Sequence, residues 1–550
     1  MPAVVDPAVP PVAGRVARTL DELRDEPSVF DDLHVEARRV LDRNPEPRNL
    51  RDVAVALESM GYTPSQARTL GFDSVFDLAL AVFDLAYLYW VPREVEPAPP
   101  RNTWRTWVAD YLAGSWYGLP WILSLVVLFV GKVALWSSLE ATPQVSAVVS
   151  LAFFLAAALA GATSQLLARK GAFYYLQGNF TLVRWVVVRV LGYGAAATGL
   201  VVAVAYAAYV VPVYGLRLAL IFVEFAVAIF AFLVSAAPLY MLKRFVTLAV
   251  ATVVALGVTL LGAHLLAGSP AGVRHAQLLG LAVGSGAMVV IAVSFLAVRA
   301  DTDLSTGDPL EAVKPPTLRV VLWHGLPYAV YGFAYFALIL SPPLVAGFAY
   351  GGFFGVHRFV YPPTLEGAVD IALLELVVLL GLVHASLERF GRRLRPLLTA
   401  RRLDRWRDAR RDLGREWWSS VTVVACASAL VAWAAPTVLV AVLPAALTGP
   451  VREAGGTAAL RVAAVGFALV PVGMLCSQYL FFLSRPAVPV AASVAGALVA
   501  MVTAGLLVSG GDLTLAAWGL VAGGAVFAGG TAVASHRALA AGEESFYASF

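Results

Sequence analysis

Charged residues are scarce in this chain. They make up 14% of its 550 residues, whereas 59% are hydrophobic and the mean hydropathy is +0.76. A soluble protein of this size cannot bury so much apolar surface, because polar side chains must cover its exterior. The net charge of only +4 also gives no strong basic field of the kind that attracts nucleic acid. The composition therefore predicts an integral membrane protein that contacts lipids and has no nucleic-acid partner.

Cysteine is almost absent. Cys426 and Cys476 both fall inside apolar stretches, where they are interpreted as small buried hydrophobic residues and not as a disulfide or metal pair. The sequence also lacks a phosphate-binding glycine loop, a His/Cys metal-ligand spacing and a nucleophile elbow. We therefore predict that the protein is not an enzyme and has no cofactor, no metal site and no catalytic residues.

The sequence predicts no secretory signal at its start, because the first thirty residues contain no apolar core. Residues 1–91 instead have the patterning of soluble helices. A capping box between Thr63 and Gln66 predicts the start of one of these helices, with Pro64 at the first helical position. These features predict a cytosolic helical module at 1–91.

The end of this module, residues 74–91, is apolar enough to be weighed as a membrane span. Asp77 and Asp84 argue against a span, since a carboxylate near the bilayer centre costs about 3 kcal/mol on insertion scales. We therefore interpret 74–91 as the core helix of the module. Residues 92–117 follow as a proline-rich linker and an interfacial aromatic helix.

Long apolar segments dominate the rest of the chain, and about 20 residues are needed to cross the hydrocarbon layer. Twelve segments meet this requirement: 118–138, 144–168, 182–212, 216–239, 245–268, 276–298, 319–345, 365–387, 417–446, 457–483, 486–509 and 514–535. The predicted fold class is an all-α integral membrane protein with twelve transmembrane helices in two six-helix lobes. The lobes are placed at 118–298 and 319–535, with a cytosolic linker at 299–318 and a cytosolic tail at 536–550.

The loops predict the orientation, because short cytoplasmic connections collect Lys and Arg. With the N-terminus inside, the inner loops contain most of these cations, including eleven arginines at 388–416. Both termini are therefore predicted to be cytosolic, in a multi-pass protein of the cell (cytoplasmic) membrane. The arginine run is interpreted as a surface helix on anionic headgroups, the alternative being a site for an anionic lipid-linked sugar or a cytosolic partner.

Ionisable residues within the spans are the candidate functional residues, since placing such side chains in the hydrocarbon layer is unfavourable in free energy. Glu366 and Asp370 in span eight are one helical turn apart and share a face, whereas Glu375 lies roughly 140° around from Asp370. Glu224 in span four and Lys132 in span one have a similar depth. Together these five predict a polar cavity open to the outside, where carboxylates meet a sugar, a cation or a proton.

Each of these residues has a structural alternative. Lys132 can extend to the outer headgroups, Glu366 can lie at the interface, and Glu224 can pair with a neighbouring helix. Arg189, in span three, is a further candidate because it lies deep enough to line an inner vestibule. These six residues are the predicted substrate or ion path.

Several segments resemble a known family. The stretch SLEATPQVSAVVSLAFFLAAALAGATSQLLARKGAFYYLQGNF (138–180) resembles the early spans of the multidrug/oligosaccharidyl-lipid/polysaccharide (MOP) flippase superfamily. Within that group, 322–340 and 366–390 resemble the Pel-type exopolysaccharide exporters, and 477–507 resembles the flippase pattern near the C-terminus. The resemblance implies a two-lobed carrier that moves a polysaccharide or lipid-linked saccharide out of the cytosol beside a synthase.

Three functions remain open from the sequence. The first is saccharide export by alternating access between the two lobes. The second is a proton- or cation-coupled antiporter for drugs or other small molecules, with the same fold. The third is a membrane scaffold that transports nothing and recruits a cytosolic glycosyltransferase or other synthase-complex subunits.

Overall fold

Helices form nearly all of the described structure. The computed structural model describes residues 27–44, 50–72, 74–89, 104–138, 141–176, 179–266, 270–305, 317–353, 358–399, 406–443, 445–452 and 455–540. Within these residues the only β pairing is an isolated bridge between Val133 and Ser138. The predicted all-α class is therefore confirmed. The proline-rich linker at 92–101, most of the linker at 299–318 and the last ten residues of the tail lie outside the described residues.

The N-terminal module forms a compact unit distinct from the membrane region. It contains α1 (Pro27–Arg43), α2 (Leu50–Ser59), α3 (Pro64–Thr69) and α4 (Val75–Tyr89). The predicted capping box is confirmed, since Thr63 Oγ1 accepts from the Gln66 amide and Gln66 Oε1 accepts from the Thr63 amide. Burial, and then the Glu36 carboxylate, raise the pKa of the Tyr62 phenol within this module.

The apolar helix α4 lies at the centre of the module. Its residues Leu78, Val82 and Leu85 are fully buried and share one core with residues of α1 and α2, such as Leu33 and Leu57. Burying apolar area at about 25 cal/mol per Å² stabilises such a core without a bilayer. The structure thus places residues 75–89 in a helical core, as the aspartates in this segment predict.

The membrane region follows from Trp104 onward. Its helices are α5 (Trp104–Ser115), α6 (Leu119–Gly131), α7 (Pro143–Leu176), α8 (Phe180–Ala205, continued by a π-helix at Tyr206–Val210 and a last turn at Val211–Tyr214), α9 (Leu216–Met241), α10 (Phe245–Leu265), α11 (Pro270–Ser305), α12 (Leu318–Phe353), α13 (Pro363–Thr399), α14 (Trp406–Val442), α15 (Ala445–Arg452), α16 (Gly456–Phe482), α17 (Ala487–Val508) and α18 (Ala517–Ala540). Among the described residues, eleven segments are long and apolar enough to cross a membrane, and the bent pair α5/α6 makes a twelfth if it counts as one span.

Two separate apolar cores define two lobes. The first core is built from α7 to α11 and includes Phe222, Phe225 and Ile229 at its centre. The second is built from α12, α13 and α16 to α18 and includes Phe467 and Phe527. The predicted division of the membrane region into two helical lobes is therefore confirmed.

The first span differs from its predicted position at both ends. It begins with α5, in the aromatic segment predicted to be interfacial, and bends by 60° before α6. A 3-10 turn at Trp116–Gly118 and Pro120, which lacks an amide hydrogen, interrupt the helical hydrogen bonds at the bend. The span ends at Gly131, seven residues before the predicted 138, because Lys132 adopts a left-handed conformation with φ of 59°.

Two adjacent prolines, Pro342 and Pro343, lie inside α12. The predicted span seven ends just after them, at residue 345, whereas the helix continues. Pro342 cannot donate a hydrogen bond to the Leu338 carbonyl, one turn earlier. The hydroxyl of Ser341, which is fully buried, donates to that carbonyl at 2.8 Å. A freed backbone group inside a bilayer needs such a partner, so Ser341 allows the helix to continue through the prolines to Phe353.

Helices α7 and α12 bring the two lobes into contact through glycine. A Cβ atom added to Gly332 would lie 2.3 Å from the Gly161 carbonyl oxygen, and one added to Gly161 would lie 2.9 Å from the Gly332 carbonyl oxygen. Small residues at such crossings allow helix backbones to approach closely in a bilayer. The close approach of α7 and α12 therefore depends on these two glycines.

We expect Gly332→Ala to destabilise the protein by about 1–3 kcal/mol, because its methyl group meets backbone that cannot move aside. Gly192→Ala is the matched control, since a Cβ there meets no atom within 4 Å. Thermal unfolding of the purified full-length variants checks the difference. Equal melting temperatures for the two variants would contradict the close crossing.

Candidate functional site

The surface between the two lobes, here called the lobe seam, includes Glu366 and Glu388 of α13. Along the seam α7 packs on α12 and α5 packs on α13. Although α5 belongs to the first span, its Trp107 and Tyr111 pack against an apolar cluster that α13, α14 and α16 form in the second lobe. Leu123 and Val127 of α6 pack against the core of the first lobe. The first span therefore passes from one lobe to the other at its bend.

Glu366 joins the two lobes by a buried hydrogen bond. The Ser150 hydroxyl of α7 donates to Glu366 Oε1 of α13 at 3.0 Å, and both residues are buried. The second carboxyl oxygen, Oε2, is buried and has no hydrogen-bond partner among the described residues. One acceptor of this carboxyl group is thus satisfied by the opposite lobe and the other is available for a proton, a cation or water.

Asp370 lies one turn further along the same face of α13, and unlike Glu366 it is exposed. Both carboxylates are close to Tyr361, which immediately precedes the helix. Burial, and then Glu366 and Asp370 in that order, hold the pKa of the Tyr361 phenol well above its usual range. The structure therefore brings two acids and a phenol together at the seam, with one acid accessible and the other enclosed.

Glu375 is not part of this group. It is buried at 1% exposure, and neither of its carboxyl oxygens has a hydrogen-bond partner within the described residues. The angle between Asp370 and Glu375 along the helix predicts that separation. An isolated ionised carboxylate in such a place is very costly, so Glu375 either carries a proton or is neutralised by a bound group.

The predicted outer end of the seam is closed around Phe359, which is fully buried. Two tyrosines at the end of α8, in the other lobe, hold its backbone: Tyr209 Oη accepts from the Phe359 amide at 3.0 Å, and Tyr214 Oη donates to the Phe359 carbonyl at 2.6 Å. The Phe359 ring packs edge-on against Phe154 of α7, with centroids 6.0 Å apart. The π-helix at Tyr206–Val210 contains Tyr209, and such irregular turns are frequent at functional sites.

The predicted inner end of the seam is closed by charged contacts. Lys243, between α9 and α10, donates to Glu388 of α13 at 3.1 Å, and both side chains are partly exposed. The Arg169 guanidinium of α7 lies 5.2 Å from the ring centre of Tyr328 in α12. These contacts also join opposite lobes, so the described seam is closed at both ends in this conformation.

The other residues of the predicted path have different surroundings from Glu366 and Asp370. Glu224 is exposed on α9 and pairs with Arg274 of α11 at 3.7 Å, inside its own lobe. This pairing is the structural alternative that the sequence leaves open. Lys132 is exposed at the end of α6, and Arg189 is exposed on α8 beside exposed Val188.

The hydroxyl groups of the seam have no signal in the sequence that predicts their position there. Ser150, Tyr209 and Tyr214 are uncharged and common in helices, so nothing in their spacing marks them. A polar residue facing the opposite lobe is recognised only once the lobes are placed. Within the described residues, no group of three or more His, Cys, Asp and Glu side chains is arranged to hold a metal ion.

The two cysteines differ in their surroundings. Cys476 is buried, as predicted, whereas Cys426 is exposed and the prediction of its burial is wrong. The reason is that only 17% of the most apolar stretch of α14, which contains Cys426, is buried against other helices. An apolar stretch therefore does not distinguish a side chain in a core from one on the outer surface of the bundle.

No protein-family model and no curated protein matches the sequence. Solved structures do match the fold. One is an outward-facing conformation of a multidrug resistance MATE family transporter of the MOP superfamily, with a TM-score of 0.54 and 18% identity, covering 80% of this chain and 96% of that chain. A MOP superfamily transporter from Pyrococcus furiosus, described as having a binding pocket of reverse polarity that suggests a different function, has a TM-score of 0.55 at the same identity and coverage.

An inward-facing conformation of a MATE family transporter also matches, with a TM-score of 0.51 and 17% identity over 80% of this chain and 98% of that chain. The chain therefore has the two-lobed helical fold of MOP superfamily transporters. At these identities the likeness concerns the fold, and it says nothing of cargo.

We expect Glu375→Met to raise the free energy of unfolding by about 1–3 kcal/mol, because it removes a buried carboxyl group without partners and keeps an unbranched side chain. Glu366→Met is the matched comparison. It deprives Ser150 of its acceptor, so no gain is expected there. Melting temperatures of the purified variants test this. A larger loss of stability for Glu375→Met than for Glu366→Met would contradict the burial of Glu375 without a partner.

Proposed function

We propose that the chain is a secondary transporter of the cell membrane, which exports its cargo by alternating access of the two lobes. The observation that carries this proposal is the Ser150–Glu366 hydrogen bond, buried across the lobe seam beside the exposed Asp370. Buried ionisable groups in a bilayer mark ion and substrate pathways. Here such a group lies on the surface that must separate if the lobes are to open.

Lobe movement and charge are coupled at Glu366. Opening the predicted outer end breaks the Ser150 contact and admits water, which favours the ionised carboxylate. Closing that end returns the group to a protein interior beside a second acid, Asp370, where a negative charge is costly unless a cation binds. A proton is the smallest such cation, so closing the outer end takes up a proton from outside, and the later opening of the inner end releases it to the cytosol.

The inner contacts suit a seam that opens repeatedly. Exposed ion pairs such as Lys243–Glu388 contribute only about 0–1 kcal/mol each, so they orient the lobes without locking them. The bend between α5 and α6 supplies a hinge, because the helical hydrogen bonds are already interrupted there. Both features support movement of one lobe against the other across a small barrier.

The cargo we favour is a polysaccharide or a lipid-linked saccharide, because the segments 322–340 and 366–390 resemble the Pel-type exporters. A cytosolic glycosyltransferase acting beside the protein belongs to this proposal. The second candidate is a proton-coupled antiporter for drugs or other small molecules, favoured by the multidrug resistance transporter that shares the fold. In both candidates the N- and C-termini are in the cytosol, on the side of the loop residues Lys243, Arg244 and Arg485.

The coupling is tested in proteoliposomes loaded with either a short lipid-linked saccharide or an organic cation such as ethidium, with export started by acidifying the exterior. We expect Glu366→Gln and Asp370→Asn to abolish the stimulation by the proton gradient, since neither amide can exchange a proton. Glu224→Gln is the control, because Glu224 is paired within one lobe and keeps its partner as the lobes move.

The cargo that the wild type moves decides between the two candidates. Gradient-driven transport that survives in both seam variants would contradict the proposed coupling. Absence of transport for both cargo classes in the wild type would remove the proposal and favour a scaffold.

A further inference from the structure

A cavity lies at the predicted cytosolic ends of the last three spans, away from the lobe seam. Its volume is about 560 Å³, and it is lined by residues of α16, α17 and α18 and of the turn between the first two. Leu480, Val488 and Val533 form apolar walls, whereas Arg485 and Arg537 supply the charge. No carboxylate is present among the described residues that line it. The cavity therefore combines two guanidinium groups with apolar surface.

Neighbouring aromatic residues fix the depth of Arg537. Trp417 of α14 donates its indole N–H to Ser535 at 3.1 Å, and its ring centre lies 5.1 Å from that of His536. Trp418 packs against the same histidine and is 55% exposed. Tryptophans are enriched where membrane meets water, at the level of the lipid headgroups. Arg537, the next residue along α18, is therefore placed at headgroup level.

Arg485 is placed beside the cavity by a tight turn. Ser484 has a φ of 52°, and the Arg485 amide donates to the Leu480 carbonyl at 2.9 Å. This turn ends α16 and directs the chain into α17 just after Arg485. The planar guanidinium group carries a permanent charge and matches phosphate oxygens with paired N–H donors. Two such groups on one cavity favour a phosphate group.

The cavity also extends toward the hydrocarbon. Gly529 and Gly530 lie about two helical turns, or roughly 11 Å, from Arg537 along α18. A Cβ on Gly529 would meet no atom within 4 Å, and one on Gly530 would reach only Ala492 at 3.5 Å. Together with the exposed Val533, these glycines leave an apolar groove open beneath the arginines.

We propose that this cavity binds the phosphate headgroup of an anionic lipid, with the phosphate between Arg485 and Arg537 and an acyl chain along Gly529 and Val533. Basic pockets between helices on the cytoplasmic side recognise lipid headgroups through this combination of charge and depth. A free phosphate ion makes no use of the apolar groove. The site is independent of the carboxylates at the seam and of the proposed transport.

Native mass spectrometry of the full-length protein tests the site, with phosphatidylglycerol compared with phosphatidylcholine of identical chains. We expect the double variant Arg485→Gln/Arg537→Gln to bind phosphatidylglycerol about tenfold more weakly or worse, with phosphatidylcholine unchanged. The control is Arg184→Gln/Arg189→Gln, which removes the same charge from two exposed arginines of α8 and is expected to keep the wild-type affinity.

A second variant tests the groove without removing charge. Gly529→Leu fills open space, so the fold is retained, and we expect it to weaken phosphatidylglycerol binding as well. Inorganic phosphate is the competing probe. Equal binding of the two lipids, or no loss in the arginine double variant, would overturn the proposal. Displacement of phosphatidylglycerol by millimolar inorganic phosphate, with Gly529→Leu unaffected, would also overturn it and assign a free phosphate ion.

Discussion

The proposed coupling of lobe movement to charge depends on the hydrogen bond between Ser150 and Glu366. A carboxyl group within a bilayer needs a partner from protein or water, since lipid provides none. Glu366 has its partner in the opposite lobe, so the relative position of the lobes determines its surroundings. Any movement that separates α7 from α13 changes the solvation of the Glu366 carboxyl group. Any change in the charge of this group therefore alters the free energy of bringing the two helices together.

The rest of the seam is consistent with this dependence. At the crossing of Gly161 and Gly332 the backbones of α7 and α12 approach closely. The two ends are closed by contacts of different chemistry, tyrosine hydroxyls on the Phe359 backbone at one end and exposed charges at the other. The proposed alternating access requires that one set of contacts breaks while the other is kept. The bent first span, packed half on each lobe, connects the two bodies through a point where helical hydrogen bonding is already broken.

Much of the fold follows from the sequence because hydrocarbon thickness sets a length that apolar segments must meet. Most of the twelve spans are found within a few residues of their predicted positions, and the aspartates of 74–91 correctly mark a module helix. The first span is misplaced because its tryptophans and tyrosines indicate an interfacial helix, whereas Trp107 and Tyr111 pack on the second lobe and make α5 part of the bundle.

The site is less predictable, because sequence gives the depth of Glu224, Glu366 and Glu375 but not the face each presents to its neighbours. Glu224 is found in an ion pair, Glu366 at the seam and Glu375 enclosed without a partner among the described residues. These differences arise from which helix lies opposite each carboxylate, and that is a property of the packed lobes.

Opening of the seam to the outside is measured by the accessibility of a residue at its predicted outer end. A cysteine replaces Ala147, which is buried with Phe154 and Phe359 at the predicted outer end, in a chain where the exposed Cys426 is changed to serine. Ala219→Cys, buried in the first-lobe core near the start of α9, is the matched control. We expect an impermeant maleimide applied outside to label the Ala147→Cys variant about tenfold faster while cargo is being exported than in its absence, and never to label the Ala219→Cys variant. Protection of position 147 throughout active transport would contradict the proposed opening.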